Sequence, residues 1–490
     1  MPQRITLALV SHTNLGKTTL ARTLLAQDIG EVRDAAHVTE FADEHRLLAT
    51  ATGHELWLAD TPGFGDSVRL ARRMRSSGNP LGWFLSEVWD RWRDRAFWHS
   101  QQALRQARER SDVVLYLVNA AESPASAGYV APEMELLAWL GKPVIVLVNQ
   151  LGAPREDSAE AADVQRWRSH LQAWPAVRSV LPLDAFARCW VQEGVLWRQV
   201  QPLLEGPARA AMGELHAAWA AARLATFDAS MQVLADSLAR VAATRVDLGQ
   251  GGGGLRGTLR QLGSALGLGP SVDPTLEPAH EALLKQLDGE VKASTARLIE
   301  LHGLRGEATG VVLQRVASTV VLRRKVGEGG AAVLGSVLSG ALTGLATDLA
   351  TGGLTLGGGL IAGGVLGALG AAGVARGLNV VRGTDRSWAG WHADAMTPIV
   401  RAAVLRYLAV AHFGRGRGDW ADGEAPAHWA SRADAVLQDR RNALTAIWTG
   451  PGDAARMAAA LKPELALVLR RLLEQLYPGT WPAELDNPSP

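Results

Sequence analysis

The chain has 490 residues, with 50 Lys+Arg against 49 Asp+Glu and a formal net charge of +1. So even a balance excludes any argument for nucleic acid from overall charge, and the length allows about two to four domains. The one cysteine, Cys189, excludes an internal disulfide and reads as a buried apolar residue in a reducing compartment.

Met1-Pro2-Gln3-Arg4 leads directly into an apolar run with no signal-peptide pattern, so a cytoplasmic chain is expected. Ile5–Val10 is that run, short enough for a buried parallel strand. Ser11-His12-Thr13-Asn14-Leu15-Gly16-Lys17-Thr18 follows, nearly the phosphate-binding pattern Gly-x4-Gly-Lys-[Ser/Thr], with Ser11 at the first glycine position. Glycine tolerates the tight bend there, and serine is expected to strain it. Main-chain amides around Asn14 to Thr18 would turn inward onto phosphate oxygens, aided by the positive end of the next helix. The expected nucleotide contacts are Thr13, Asn14, Leu15, Gly16, Lys17, Thr18 and Thr19, with Lys17 on the β- and γ-phosphates and the Thr18 hydroxyl on Mg2+.

Thr18–Gln27 reads as the helix after this loop, and Asp28–Glu44 as a polar segment holding Thr39. Arg46–Thr50 and Glu55–Ala59 read as strands joined around Gly53. The second ends at Asp60-Thr61-Pro62-Gly63, a second phosphate-site signature in which Asp60 would hold Mg2+ through water and the Gly63 amide would sense the γ-phosphate. In Asp66–His99, Arg69, Arg72, Arg73 and Arg75 precede a break at Gly78-Asn79-Pro80. Leu85, Val88, Trp89, Trp92 and Ala96 then share one helical face, which would either report nucleotide state to a partner or pack on the body. Val113–Val118 and Val144–Val148 are further buried strands. Helices are expected at Ser100–Arg110, at Glu133–Leu140 with Gly141 and Pro143 as its stop, and at Asp184–Val200 with Phe186, Trp190, Leu196 and Trp197 toward the sheet. Pro202 and Gly206-Pro207 mark a boundary. Strands alternating with helices imply an α/β doubly wound nucleotide-binding domain over residues 1–203, its ligands at the carboxyl ends of the strands.

On Asn14-Leu15-Gly16-Lys17-Thr18 and Asp60-Thr61-Pro62-Gly63, the first 200 or so residues resemble a P-loop GTPase of the Era-like and tRNA-modification group. That resemblance implies GTP and Mg2+ as ligands and hydrolysis of GTP as the activity. The base-reading motif of the group, Asn-Lys-x-Asp, becomes Asn149-Gln150-Leu151-Gly152 here, so the residue that pairs with guanine N1–H and its amine is replaced by glycine. Ser179-Val180-Leu181 resembles the short loop that backs the base, which adds Asn149, Gln150, Ser179 and Val180 to the expected nucleotide contacts. An Asn at the position of Asn14 helps hold K+ in similar GTPases, so K+ stimulation is expected, against the alternative of a loop-capping Asn. Phe64 stands where many small GTPases place a water-orienting Gln, which implies slow intrinsic turnover. Thr39 is the candidate to complete the Mg2+ shell and act with Lys17 in catalysis.

Past residue 203 the strand signals stop, and an all-α region is expected. Met212, Leu215, Trp219, Phe227, Met231, Leu234, Leu238 and Val241 keep the three-four spacing of a long helix. Gln250-Gly251-Gly252-Gly253-Gly254 breaks it, and His280, Leu284, Leu287, Val291, Leu298 and Leu301 repeat the seam within a connector region 204–327. A Gly/Ala-rich apolar hairpin spans 328–382; Asp348 is the one charged residue in its 331–375 core, where small residues recur four apart. Arg323-Arg324-Lys325 and Arg376 flank that core, which fits a re-entrant hairpin at the inner membrane or a pair of closely packed soluble helices. A C-terminal helical region covers 383–476, with helices over Ser387–Phe413, Ala430–Leu461 and Pro463–Leu476, and 477–490 reads as a disordered tail. The layout resembles bacterial GTPases that carry a C-terminal helical domain of unknown function.

The leading expectation is a GTPase switch moving a helical, membrane-touching domain. Its alternatives are a nucleotide-gated scaffold with negligible turnover and a membrane-remodelling GTPase of dynamin-like logic. No RNA-binding motif or strong basic run follows residue 204, so no nucleic-acid partner is expected.

Overall fold

The computed structural model describes residues 1–25, 43–61, 63–76, 101, 104–105, 107–151, 157–185, 189–247, 277–304, 378–382, 387–413, 427–450 and 453–482. The chain divides into two compact units: Met1–Leu224 with His412–Gly418 and Tyr477–Pro490, and Ala225–Ala411 with Asp419–Leu476.

The first unit is built on a sheet of strands β1 (Arg4–Ser11), β2 (Asp43–Ala49), β3 (Glu55–Asp60), β4 (Val113–Asn119), β5 (Val144–Asn149) and β6 (Val177–Pro182). Their order is β2-β3-β1-β4-β5-β6, and every neighbouring pair is parallel except β2 with β3. The sheet is therefore mixed, with an antiparallel edge. The turn at Gly53 makes it so: its φ of +87° lets the chain double back directly into β3. Near-continuous apolar runs make β1, β4 and β5 central strands, and Val113–Val118 and Val144–Val148 are completely buried. Around the sheet lie α1 (Lys17–Leu25), α2 (Ser67–Ser76), α3 (Val130–Leu140), α4 (Asp157–Leu171) and α5 (Trp190–Val200). Gly141, at φ +68°, ends α3 as its position before Pro143 predicts.

Three expectations for this unit change. Ser179, Val180 and Leu181 lie inside β6, paired with Ile145, Val146 and Leu147, so they are strand and not loop. Among the described residues the last helix begins at Trp190 and not at Asp184, because Asp184 is a buried acceptor for the Leu151 amide at 2.6 Å. The chain end is packed as far as Pro482: Trp481 is buried with its ring 5.4 Å from that of Trp190, and Arg198 donates to the Gly479 carbonyl at 3.0 Å. Trp190, Leu196 and Trp197 are buried as the helical spacing requires, and so is Cys189. Phe186 and the face Leu85–Ala96 lie outside the described residues.

The helix α6 (Gly206–Ala243) runs from the first unit into the second. Its expected seam is buried, with Phe227, Met231, Leu234, Leu238 and Val241 in the second unit. There α7 (Glu277–Leu301) buries Leu284, Leu287, Val291 and Leu298. A small antiparallel sheet, absent from the all-α expectation, joins β7 (Arg245–Asp247), β8 (Leu378–Arg382) and β9 (Ser387–Trp391) in the order β7-β9-β8. Ser387–Trp391 is thus strand, and helix α8 starts after it, at Ala393–Ala411. Arg406 of α8 is buried and donates to the Val291 carbonyl, Ser294 and Thr295 at 3.1, 3.3 and 3.2 Å; burial pushes its guanidinium down to about 10. Helices α9 (Ala427–Asp439), α10 (Arg441–Thr449) and α11 (Ala454–Leu476) complete the unit. Pro463 lies inside α11 and does not end a helix there. An interior proline costs about 3 kcal/mol, but Met457, Ala458 and Leu461 before it and Leu465, Val468, Leu469 and Leu472 after it bury one continuous face.

The Gly/Ala-rich stretch 331–375 and the glycine run 250–254 lie outside the described residues. Among the described residues no helix is long and apolar enough to cross a membrane.

Candidate functional site

The loop between β1 and α1 is shaped by its backbone. Asn14 and Gly16 have φ of +64° and +83°, and Asn is one of the few side-chain-bearing residues that adopts this region readily. Ser11 does not share that conformation, so serine at this position brings no left-handed strain, contrary to the expectation. It ends β1, is fully buried, and its hydroxyl donates to the His12 carbonyl at 2.5 Å. Lys17 and Thr18 then open α1, which points its amino end at the loop.

Four expected residues converge here. The Thr18 hydroxyl donates to Asp60 Oδ2 at 2.6 Å, joining the end of β3 to the start of α1. A Cβ at Gly63 would stand 3.0 Å from Lys17 Nζ and 3.3 Å from Thr13 Cα, so any side chain here would press on the ammonium and the loop backbone. Burial pulls the Lys17 ammonium below its usual range, and the charges of Asp60 and Glu133 push back upward. Phe64 is fully buried in the core against the sheet, and its amide donates to the Ser11 carbonyl at 2.9 Å. A side chain turned into the core has no part in orienting water. Thr39, Pro62 and Gly152 lie outside the described residues.

The ends of β5 and β6 meet the same loop. Asn149 is fully buried: its Nδ2 donates to the Leu15 carbonyl at 2.9 Å, and its Oδ1 accepts the Ala185 amide at 2.9 Å. A Cβ at Gly16 would stand 3.0 Å from Asn149 Nδ2 and 3.9 Å from Gln150 Nε2. Gln150 has φ +57°. The segment beside Asn149 is therefore Leu183-Asp184-Ala185, beyond the end of β6, rather than Ser179 and Val180, of which Val180 is buried in the core.

Sequence reasoning missed Glu133. It is fully buried in the first turn of α3, where Oε1 meets His12 Nδ1 at 2.8 Å and Oε2 accepts from the Tyr116 hydroxyl at 2.6 Å. Ser67, the first residue of α2, also hydrogen-bonds to it. Burial pushes the Glu133 carboxyl up, and the bonds from His12, Tyr116 and Ser67 oppose that. The His12 ring stacks on Tyr129, with centroids 4.3 Å apart, and the Tyr129 hydroxyl donates to Glu122 at 2.5 Å. An acid in the first turn of a helix reads from sequence as a favourable end charge, and nothing in its spacing signals burial.

Residues 6–150 match the model of the 50S ribosome-binding GTPase family, and this stretch is a P-loop GTPase domain. No curated protein matches the chain. Among solved structures, the chain is similar to a variant of Era from Aquifex aeolicus bound to GDP and AlF4−, at 17% identity, covering 42% of this chain and 58% of that one, with a TM-score of 0.30. It is also similar to Era in complex with MgGDPNP and a segment of 16S ribosomal RNA (17% identity, 42% and 59% coverage, TM-score 0.30). A bacterial selenocysteine-specific elongation factor is similar at 12% identity, with 41% and 29% coverage and a TM-score of 0.27.

Proposed function

We propose that this chain, whose residues 6–150 are a P-loop GTPase domain, is a guanine-nucleotide switch that hydrolyses GTP to GDP and phosphate and signals through the helical regions after residue 203. The observation that supports it best is the grouping of Lys17, Thr18, Asp60 and Gly63, drawn from two loops onto one spot. In this reading the amides of Thr13, Asn14, Leu15, Gly16, Lys17, Thr18 and Thr19 hold the phosphates, and Lys17 offsets charge on the β- and γ-phosphates. The Gly63 amide meets the γ-phosphate, and Asn149 and Gln150 border the base.

Thr18 and Asp60 bring two hard oxygens within 2.6 Å of each other, which fits Mg2+. Among the described residues no larger acidic or histidine cluster is placed to hold a metal, and Mg2+ needs none, because substrate phosphates and water complete its shell. Thr39 is the proposed further ligand. When bound, Mg2+ neutralises charge on the β- and γ-oxygens. A water attacks the γ-phosphorus, the bond to the β–γ bridging oxygen breaks, and the Lys17 ammonium steadies the departing charge. With Phe64 buried where a Gln would orient water, turnover is slow unless another group enters, and K+ beside Asn14 is the proposed accelerator. For the base, the carboxylate of Asp184 stands against Leu151, next to the position where Gly152 supplies no side chain.

Titration of GTP, GDP and ATP against the purified protein tests the reading. GTP and GDP are expected to bind with Mg2+ present, ATP much more weakly, and Lys17→Ala to abolish binding; unchanged GTP affinity in that variant sinks the site. Hydrolysis is expected to run faster in K+ than in Na+, and equal rates remove the K+ role. Single-turnover hydrolysis with no product would favour the scaffold reading, which the buried Phe64 supports. The regions 204–327, 328–382 and 383–476 are proposed as the responding part, with residues 331–375 touching a lipid surface, a contact tested by vesicle flotation.

A further inference from the structure

Four elements send a side chain to one buried point. Glu133 comes from α3, Tyr116 from β4, His12 from the phosphate loop and Ser67 from the start of α2. The neighbours of Glu133 in α3 that face the core, Val130, Met134 and Leu137, are apolar. An apolar side chain would fill the same space at less cost than a carboxylate taken out of water. What the acid adds is its three hydrogen-bonded arms.

Those arms join parts that a bound triphosphate would pull on. Only Phe64, Gly65 and Asp66 separate Gly63 from Ser67, so a contact made at Gly63 is felt at the start of α2 almost at once. Phe64 is fixed at one end by the Ser11 carbonyl and by its burial, which leaves little slack. Tyr116 lies in a central strand and serves as the fixed reference. The turn at Gly63 lies against Lys17: a Cβ there would stand 3.0 Å from its Nζ.

We propose that Glu133 is a positioning residue: through His12 and Ser67 it holds the phosphate loop and the start of α2 to one carboxylate, and so sets how strongly the site prefers triphosphate over diphosphate. The proposal rests on the GTPase reading above and concerns the regulation of that same site. Holding the Gly63 turn beside Lys17 in advance spares a triphosphate part of the cost of ordering it, whereas a diphosphate, which lacks the γ-phosphate, gains nothing.

The test uses the full chain and two variants, Ser67→Ala, which severs only the α2 arm, and Glu133→Gln, which keeps the size and removes the charge. Affinity for a non-hydrolysable GTP analogue is expected to fall about tenfold in each, as for one lost charge-assisted hydrogen bond. GDP affinity stays within twofold of wild type, and kcat falls more than KM rises. Arg75→Ala is the control, because it removes the exposed Arg75–Glu135 pair between α2 and α3 and leaves the carboxylate alone. It is expected to leave the ratio of the two affinities unchanged. If Ser67→Ala lowers the melting temperature but keeps that ratio and kcat, or if Arg75→Ala shifts the ratio equally, the proposal is overturned. Should Glu133→Gln fail to fold, Ser67→Ala decides alone. A wild-type protein that binds neither GTP nor GDP refutes the GTPase reading itself, before any variant is made.

Discussion

Asp184 concentrates the question of which base this site takes. The carboxylate accepts the Leu151 amide at 2.6 Å, and its neighbour Ala185 is tied to Asn149, so the whole segment is held against the phosphate loop. Asp184→Asn keeps an oxygen for the Leu151 amide and replaces the other with an N–H donor. If Asp184 accepts from guanine N1–H and its amine, that variant should bind GTP about 10–100-fold more weakly, the worth of a hydrogen bond to a charged group. It should bind xanthosine triphosphate more tightly, because xanthine presents a carbonyl where guanine has the amine. An unchanged GTP-to-XTP ratio excludes Asp184 from base reading. At this scale the meeting of Lys17, Thr18, Asp60 and Gly63 and the place of Asn149 beside the loop were legible, because short motifs reflect a local geometric demand: close approach at Gly63, a hydroxyl paired with a carboxylate at Thr18 and Asp60, and an amide held to the loop carbonyl at Asn149. Glu133 and Asp184 were not, because neither belongs to a short motif whose residue types and spacing mark it, and only the folded sheet brings them to His12 and Leu151.

Elements were legible where one force dominated. Apolar runs buried on both faces marked β1, β4 and β5, and a three-four seam marked α6 and α7. The sequence misled where tertiary contact outweighed a local signal. Ser179-Val180-Leu181 resembles the short loop that backs a base, yet pairing with β5 makes it strand. Ser387–Trp391 is short and mixed, and it is strand because β7 and β8 flank it on both edges. Pro463 signals a break that the buried leucines of α11 override. The same tension bears on residues 331–375, whose glycines cost about 1 kcal/mol each relative to alanine in a helix and so need a compensating close approach. If a lipid surface provides the setting for that approach, full-length protein should float with vesicles of anionic lipid, and a variant lacking 331–375 should stay below. Full-length protein that remains in the dense fraction at low salt removes the membrane contact and leaves close packing among helices.

The two compact units are not two consecutive pieces of chain. The first contains the amino-terminal half of α6 and also takes back the end of the chain, where Tyr477–Pro482 returns to α5. Trp481 is 8% exposed, and its ring meets Trp190, which in turn lies 6.4 Å from Trp219. A nucleotide domain read as residues 1–203 omits both Trp219 and Trp481, because propensity and motif spacing carry no information about a segment nearly three hundred residues downstream. This closure gives a testable consequence. Trp481→Ala in the full chain removes a large, nearly buried side chain, for which about 3–5 kcal/mol is usual. For a domain of this size each kcal/mol moves a melting temperature by roughly 2–4 °C. The transition that GTP raises should therefore drop by about 6–20 °C in Trp481→Ala, while the nucleotide still raises it by a similar increment, since the ring of Trp481 packs on Trp190 at the start of α5, outside the phosphate loop. Thermal scans with and without GTP and Mg2+ separate the two effects. A GTP-sensitive transition that does not move in Trp481→Ala would show that the returning chain end contributes nothing to the stability of the nucleotide-binding unit.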